Sequence, residues 1–507
     1  MTDHALTADP ATASGRVPLR RMALYGMLGF SAGLPFYMFS TVLALRLTEH
    51  GVGLVVIGFF AWVTLLPTFK FLWAPLLDRY DVPGFGRYWG KRRGWIMLSQ
   101  LGIFTAMAAM ALTSGDASLG ITALFAVLLA FWTTTLEVAA DAWRIELAPT
   151  QDEQGPIVAA NLWGYRSAMV AAGSGALLIA DGTGWTAAYL AIAVAAFAPF
   201  PLLVAMRADE EGGRQAGNRW SALVAGLVAS IVILAIACVV TAGIGWLLLG
   251  AAAGIGITAD TNVTPYVLAI CMLPFVAMAL AVPRLRQLPF SHPARRSAVI
   301  GPYVDFFWRY AYGAIVLMAF VSIYRMGDVL ALQLSKPMIR GLGYSLSEIG
   351  RADSIVALLA SMIGVGLGGW MVTRWPMGQS LAIGAVFAAL GNFGFVWLAY
   401  QVPTEPMLYL ATAADQFGNG MAGAVYVVYL SLLVNPRYPG AQYAFLSGFT
   451  FLLPRLLAGA GGGMVQSIGY NNFFALSGAV SLAAIAFLPV ITRLRPRPDD
   501  HPEAVAG

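Results

Sequence analysis

The sequence predicts an all-α polytopic membrane protein, and two observations lead to that prediction. Hydrophobic residues make up 59% and charged residues only 11% of the 507 positions, a composition that soluble layers with polar exteriors do not have. Apolar runs of about 20 residues, the length that crosses a bilayer, follow one another along the whole chain. Short polar connections separate these runs, which leaves no room for a sizeable extramembrane domain.

Breaks in the hydropathy predict about fourteen transmembrane helices, arranged as two six-helix halves with a two-helix hairpin inserted between them. The predicted spans are 22–46, 52–77, 95–113, 117–142, 156–180, 185–206, the hairpin 220–250 and 262–283, then 308–335, 347–373, 376–400, 406–434, 440–467 and 471–492. The corresponding organisation is a tail 1–21, an N-terminal bundle 22–206, linkers with the inserted hairpin 207–305, a C-terminal bundle 306–493 and a tail 494–507. An even insertion leaves both halves with the same orientation.

The two halves resemble each other in sequence. "IGFFAWVTLLPTFKFLWAPLLDR" from Ile57 and "IGRADSIVALLASMIGVGLGGWMVTR" from Ile349 both open with Ile-Gly and end in arginine. The segments from Leu162 and from Phe451 each contain a mid-helix arginine followed by a glycine-rich stretch. Such repeats are typical of transporters whose two domains are related by an axis along the membrane normal. The charge-free hairpin is expected to be peripheral to any pathway.

Lysine and arginine concentrate in the loops on one side of the predicted topology, so both termini are expected to be cytoplasmic. This distribution explains the net charge of +5 without nucleic acid as a partner. Cys238 and Cys271 lie in apolar runs and predict no disulfide. The four histidines occur in tails or loops, so neither a metal site nor another cofactor is expected. We found no phosphate-binding loop and no nucleophile elbow, which argues against an enzyme and leaves an ion gradient as the energy source.

Ionisable side chains recur inside the predicted spans, although each costs about 2.5–3.5 kcal/mol at the bilayer centre. The candidates for proton coupling and the substrate pathway are Lys70, Glu137, Asp141, Arg166, Arg325, Asp328, Asp415 and Arg455. Depth along the helices predicts that Glu137 pairs with Arg166 and that Asp415 pairs with Arg455, while Arg325 and Asp328 share one helical face. Protonation of Glu137 or Asp415 would release an arginine for an anionic substrate. The alternative is that these pairs are structural.

Weaker candidates for substrate binding are neutral amides and aromatic rings at the same levels, which could hydrogen-bond or stack on a polar solute. They are Asn161, Trp163, Tyr324, Gln333, Gln416 and Asn419. Asp78 and Arg79, in "PLLDRY", are expected to form part of a gating loop at the inner face. Pro35, in "GFSAGLPF" of the first span, predicts a kink.

As an ordered set, several motifs resemble those of the AmpG permeases of the major facilitator superfamily. They are "LGFSAGLPF", "FKFLWAPLLDRY...GKRRGW", "DAW", "GYR", "IRGLGYSLSEIG" and "AQYAFLS". The resemblance covers about Arg20 to Arg493 except for the hairpin 220–283. It implies a major facilitator fold in a bacterial inner membrane and the proton-driven import of anhydromuropeptides. These are disaccharides of N-acetylglucosamine and anhydro-N-acetylmuramic acid with or without a stem peptide, released during peptidoglycan recycling and linked to β-lactamase induction.

This sequence departs from the family pattern at "LEVAADAW" and "ADQFGNG", where acidity is nevertheless kept at Glu137 and Asp415. The expected partners are a glycopeptide substrate, protons and membrane lipid, and the protein is expected to be a monomer. Two alternatives stay open. The chain could import another polar organic solute, such as a siderophore or a coenzyme A thioester, or it could be a membrane sensor that moves nothing.

Overall fold

The computed structural model of the protein describes residues 17–52, 62–113, 119–206, 218–255, 264–459 and 461–498. All regular secondary structure in these ranges is helical. The first half contains α1 (Leu19–Glu49), a 3₁₀ helix (Trp62–Leu72), α2 (Ala74–Arg79), α3 (Phe85–Trp89), α4 (Lys91–Leu112), α5 (Leu119–Leu147), α6 (Gln151–Val170), α7 (Ala176–Thr183), α8 (Trp185–Ala196) and α9 (Pro199–Ala205).

The remaining helices comprise the inserted hairpin, a short linker region and the second half. The hairpin helices are α10 (Arg219–Ile255) and α11 (Thr264–Leu285), and the linker contains α12 (Pro293–Arg296) and α13 (Gly301–Tyr310). The second half contains α14 (Tyr312–Gly341), α15 (Leu346–Arg351), α16 (Ala357–Val372), α17 (Met377–Leu398), α18 (Glu405–Leu433), α19 (Pro439–Gly459), α20 (Gly461–Ala483) and α21 (Leu488–Ile491).

The helices lie where the hydropathy predicted spans, apart from the second span, of which residues 53–61 fall outside the described ranges. Among the described residues, nine helices are long and apolar enough to cross a membrane. They are Leu19–Glu49, Lys91–Leu112, Leu119–Leu147, Trp185–Ala205, Arg219–Leu247, Tyr312–Gly341, Glu348–Val372, Met377–Leu398 and Ser467–Ile491. The prediction of an all-α membrane protein is therefore confirmed.

Local sequence signals set several helix limits. A capping box at Thr150, whose hydroxyl contacts the Glu153 carboxylate at 2.8 Å, starts α6, and Ser345 with Glu348 starts α15 in the same way. Gly469 has φ +78° and interrupts α20, as expected between the last two predicted spans. Near Pro35 the predicted irregularity takes the form of a π-helical turn at Met38–Val42 within α1.

Each half packs chiefly on itself. In the first half α1 packs against α6, and α4 packs against α5 and α8. In the second half α18 packs against α16 and α17, while α14 packs against α19 and α20. The α1–α6 contact requires glycine, because a Cβ added at Gly164 would lie 1.9 Å from the carbonyl oxygen of Gly26. Small residues that let helix backbones approach are the usual basis of packing in membranes.

Contacts between the halves involve equivalent helices of the two bundles. Helix α6 packs against α16 and α18, and α19 packs against the 3₁₀ helix, α2 and α5. Helix α2, α3 and the turn between α18 and α19 lie at one end of the molecule, which we call the basic end because Arg79, Arg87, Lys91, Arg92 and Arg437 occur there. Because α2 contacts α19, the two bundles touch at this end.

The two helices of the inserted hairpin dock on different bundles. Helix α10 packs against α3, α4 and α5, whereas α11 packs against α13 and α19. Gly226 permits the first contact, because a Cβ there would lie 2.1 Å from the Phe85 ring. Most side chains along α10, including Val228 and Ile231, are exposed in the protein surface, as expected of a helix that faces lipid.

Candidate functional site

A cavity of about 160 Å³ lies between the two bundles and brings together residues from α6, α14, α16, α18 and α19. Three of the predicted site residues line it: Arg166, Arg325 and Asn419. Two of these are cations from opposite bundles. A largely apolar cavity with a few convergent polar groups at a domain interface is the usual form of a small-molecule site.

Arg325 is held in place by its own bundle. Its guanidinium lies 2.8 Å from the Asp328 carboxylate, and Nη2 donates to Oδ1 of Asn419 at 2.9 Å. The prediction that Arg325 and Asp328 share a helical face is thus confirmed. Because Asp328 is only 5% exposed, the carboxylate neutralises Arg325 from the side that faces away from the cavity.

Arg166 lacks such support. Among the described residues its only hydrogen-bond acceptor is the sulfur of Met169, at 3.7 Å from Nη1. It interacts electrostatically with Arg325, which repels it, and with Asp415, which attracts it. A guanidinium has five N–H donors and prefers oxyanions. Arg166 therefore presents unused donors to the cavity.

The predicted pairing of Glu137 with Arg166 is wrong. The Glu137 carboxylate instead lies 3.8 Å from Nζ of Lys70. Depth alone suggested Arg166, but the neighbours of a helix are set by packing around its axis. Helix α5 packs against the 3₁₀ helix that contains Lys70, while α6 packs against α1. Lys70 is 7% exposed, so its ammonium needs this carboxylate.

The predicted pairing of Asp415 with Arg455 is also wrong. Arg455 reaches across to the N-terminal bundle, where Nη1 donates to Thr64 O and to Thr68 Oγ1, each at 3.0 Å. It also interacts electrostatically with Glu137. Asp415 accepts a hydrogen bond from Nε2 of its neighbour Gln416 at 2.9 Å. The electrostatic interactions between the two bundles are therefore crossed, with Arg455 attracted to Glu137 and Arg166 attracted to Asp415.

The weaker substrate candidates are spread over different environments. Asn161 donates to the carbonyl of Tyr25 at 3.2 Å and joins α6 to α1. Trp163 donates to the carbonyl of Met362 at 2.8 Å and borders an apolar groove formed by α1, α6 and α9, so it lies outside the central cavity. The side chain of Gln333 lies outside the described residues.

Tyr324 is part of the protein core. It is 1% exposed, stacks on Tyr426 with ring centroids 5.2 Å apart and donates to the carbonyl of Leu381. Tyr426 lines the cavity, so Tyr324 supports a cavity residue from behind. Tyr324 therefore does not line the cavity, whereas Tyr426 does.

Asp78 links the two bundles at the basic end. Its carboxylate accepts hydrogen bonds from the backbone N–H groups of Gly440, at 3.1 Å, and Ala441, at 2.7 Å, at the start of α19. Arg92 donates to the same carboxylate at 2.8 Å. Burial raises the pKa of Asp78, while Arg92 and the backbone donors act in the opposite direction. Arg79, the second predicted gating residue, lies over the ring of Tyr80 on the surface.

A second link at the basic end was missed by the sequence reasoning. Arg144 of α5 is 1% exposed, donates to Asp141 at 3.0 Å and crosses to Ser431 of α18 at 2.8 Å. Its guanidinium also lies over the ring of Tyr443, 5.4 Å from the centroid. The i, i+3 spacing of Asp141 and Arg144 could have predicted this ion pair. The spacing applies because α5 extends to Leu147, so both residues lie on the same helix.

Tyr443 connects the Arg144 link to the ion pair of Lys70 and Glu137. The ring of Tyr443 lies between Arg144 and Lys70, whose Nζ is 6.0 Å from the centroid, and the same residue lines the central cavity. Both cations belong to the N-terminal bundle, whereas Tyr443 belongs to α19. The floor of the cavity is therefore an inter-bundle cation–π contact, and the bundles are closed at the basic end.

The chain is similar in sequence to proteins named as permeases or putative transporters. The chain is 28% identical to the anhydromuropeptide permease of Escherichia coli strain K12 over 93% of this chain and 79% of that protein. It is 25% identical to putative transporter AmpG 4 of Rickettsia felis over 92% and 95%. No protein-family model matches the sequence.

Solved structures give the fold. A double tryptophan mutant of XylE matches 94% of this chain and 96% of its own with a TM-score of 0.61 at 12% identity. The proton:xylose symporter XylE of the major facilitator superfamily, bound to 6-bromo-6-deoxy-D-glucose, matches 93% and 94% with a TM-score of 0.57 at 15% identity. The predicted major facilitator fold is confirmed, and the named relatives are permeases.

We predict that Asp78→Ala opens the basic end. The change removes the acceptor for two N–H groups of α19 and for Arg92, and hydrogen bonds to a charged group contribute about 1.5–3 kcal/mol each. Electron–electron distance measurements between spin labels at Arg87→Cys and Arg374→Cys, in a chain without native cysteines, should show a longer distance whose population rises about tenfold or more. Asp81→Ala, which alters an exposed acid of the same loop, should leave the distribution unchanged. An unchanged distribution in Asp78→Ala would contradict the gating role.

Proposed function

We propose that this chain, a relative of the AmpG permeases with the major facilitator fold, imports anhydromuropeptides by proton symport. The observation that carries the proposal is the unpaired guanidinium of Arg166, which faces Arg325 across the central cavity. Asp328 balances the charge of Arg325, so the guanidinium of Arg166 is the charge that an anion in the cavity would balance. An anhydromuropeptide supplies a carboxylate for the arginines, hydroxyls for Asn419 and sugar rings for Tyr426.

Two acids that lie outside the cavity lining support coupling to protons. Asp415 faces Arg166, and Glu137 faces both Lys70 and Arg455. When Asp415 takes up a proton, a negative charge near Arg166 is removed, so the unpaired guanidinium attracts an anionic solute more strongly. Proton and substrate therefore favour each other's binding, which is the requirement for symport. Neither step needs a cofactor.

The relative's printed name supplies the substrate class, and the contacts of the cavity suit it. We favour the muropeptide over a siderophore or a coenzyme A thioester on that ground. A sensor without transport is less well supported, because the two bundles meet through exchangeable charge contacts at the cavity floor. The product would enter the cytoplasm for peptidoglycan recycling.

The topology belongs to the same proposal. Fourteen spans, with 22–206 and 306–493 as the two bundles and 220–283 as the hairpin, would place both termini and the basic end on the cytoplasmic side of the bacterial inner membrane.

An impermeant maleimide applied to intact cells should label a cysteine at Val402, which is 76% exposed, and should spare one at Ser291. Permeabilised cells, in which both should react, provide the control. Labelling of Ser291→Cys in intact cells would reverse the orientation.

We predict that proteoliposomes take up labelled anhydromuropeptide faster with an inward proton gradient. Asp415→Asn should lose this acceleration while remaining folded and still binding substrate, because an amide cannot exchange a proton. Asp181→Asn, a change of the same kind at an exposed site, should keep it. Equal uptake by the wild type with the gradient collapsed would refute the coupling, and faster uptake of a siderophore would refute the substrate.

We predict that Arg166→Gln raises the KM for anhydromuropeptide by about tenfold or more, because a charge-assisted hydrogen bond contributes about 1.5–3 kcal/mol. Arg166→Lys should recover part of the affinity, because lysine keeps the positive charge but lacks the planar guanidinium that binds a carboxylate through two hydrogen bonds. Arg374→Gln, at an exposed site, is the matched control. The decisive comparison uses a substrate with amidated carboxylates. If that substrate loses as much affinity in Arg166→Gln as the native one, the arginine does not bind the carboxylate.

A further inference from the structure

Arginines from three chain segments meet at the basic end of the C-terminal bundle. They come from the segment after α11, from α13 and from the chain after α21. The group, which we call the arginine patch, consists of Arg286, Arg295, Arg296, Arg309 and Arg497. Arg284, Arg493 and Arg495 are exposed neighbours along the chain.

Specific contacts hold the three segments together. The backbone N–H of Arg497 donates to the carbonyl of Arg309 at 3.0 Å, and Nη1 of Arg497 donates to the carbonyl of Arg286 at 3.4 Å. The ring of Trp308 lies between two guanidinium groups, at 4.1 Å from Arg295 and 5.5 Å from Arg497. Trp308 is 8% exposed. The patch is therefore a built arrangement in which a buried ring organises two cations.

Few acids lie near the patch among residues 284–309 and 461–498 of the described chain. Within 284–309 the only acid is Asp305, and its carboxylate already accepts from Asn435, at 3.1 Å, and Gln442, at 2.9 Å. Among the described residues, no carboxylate lies within ion-pair distance of Arg286, Arg296, Arg309 or Arg497. Nε and Nη1 of Arg309 are buried without a hydrogen-bond partner. Such donors call for an anion that the described protein does not supply.

The patch lies next to the ends of two candidate membrane spans. Helix α14 begins at Tyr312, three residues after Arg309, and the candidate span Ser467–Ile491 ends just before the tail arginines. Apolar side chains are exposed beside the patch, with Ile300 51%, Tyr312 59% and Val490 49% accessible. An anion at this level can be continuous with apolar chains in the bilayer.

We propose that the arginine patch binds the phosphodiester head group of an anionic phospholipid. If these arginines served only to set the membrane topology of the chain, exposed cations would be enough. It does not account for a buried tryptophan between two arginines, for the docking of the chain after α21, or for the partnerless donors of Arg309. Arginine matches the geometry of phosphate oxygens. The inserted hairpin contributes to the site, because the end of α11 delivers Arg286.

The test uses full-length protein in neutral detergent. Binding of dioctanoyl phosphatidylglycerol is measured by native mass spectrometry and by the shift in melting temperature, with dioctanoyl phosphatidylcholine as the neutral lipid. Wild type should bind phosphatidylglycerol preferentially. Arg296→Gln with Arg497→Gln should weaken this binding about 30-fold, because each arginine near an anionic surface contributes about fivefold in affinity. Uptake activity is not needed for this measurement.

Controls separate the proposal from general electrostatics and from folding. Arg87→Gln with Arg374→Gln makes the same charge change at exposed sites of the basic end and should keep wild-type affinity. Arg296→Lys with Arg497→Lys should retain most of the binding and reports that the variant folds. Equal loss in the Arg87 and Arg374 pair, unchanged affinity in the Arg296 and Arg497 pair, or stabilisation by inorganic phosphate equal to that by phosphatidylglycerol would each overturn the proposal.

Discussion

A charged side chain inside a bilayer needs an opposite charge, a hydrogen-bond acceptor or water, and this requirement shapes the contacts between the two bundles. Arg455 finds Thr64, Thr68 and Glu137 across the interface, and Arg144 finds Ser431 in the same way. Each of these contacts joins the N-terminal bundle to the C-terminal bundle. The residues that would be most costly to bury alone therefore hold the halves together.

Crossed charges give the molecule a simple means of coupling. A pair within one bundle could change its protonation or bind a ligand without effect on the other bundle. Glu137 pairs with Lys70 inside its own bundle, but it also interacts electrostatically with Arg455 of the other bundle, as Asp415 does with Arg166. A change in the charge of either acid would therefore alter the attraction between the bundles. Tyr443 extends this coupling to the basic end, because its ring contacts Lys70 beside Glu137 and Arg144 beside Asp141. If the proposed coupling holds, a change in the charge of Glu137 would reach the contacts of Asp141 and Arg144 at the basic end through Tyr443.

The parts of this structure that depend on one helix at a time could be predicted from the sequence. The spans follow from hydropathy, and the Arg325–Asp328 pair follows from helical spacing. The partners of Glu137 and Asp415 could not be predicted, because depth fixes the height of a side chain but not the direction in which it points around the helix. Arg144 was overlooked because α5 continues past the end of its apolar run, to Leu147. The same spacing rule would then have paired it with Asp141.

The two helices predicted as an inserted hairpin each pack on a different bundle. Helix α10 is docked on α3, α4 and α5, and α11 is docked on α13 and α19. Helix α10 is therefore attached to the N-terminal bundle and α11 to the C-terminal bundle. Any rocking of the bundles would change the distance between these two helices. Helix α11 ends beside Trp308 and the tail, where Arg497 contacts Arg286. Helix α11 is in this way tied to α13 and to the chain after α21, whereas α10 packs on the N-terminal bundle.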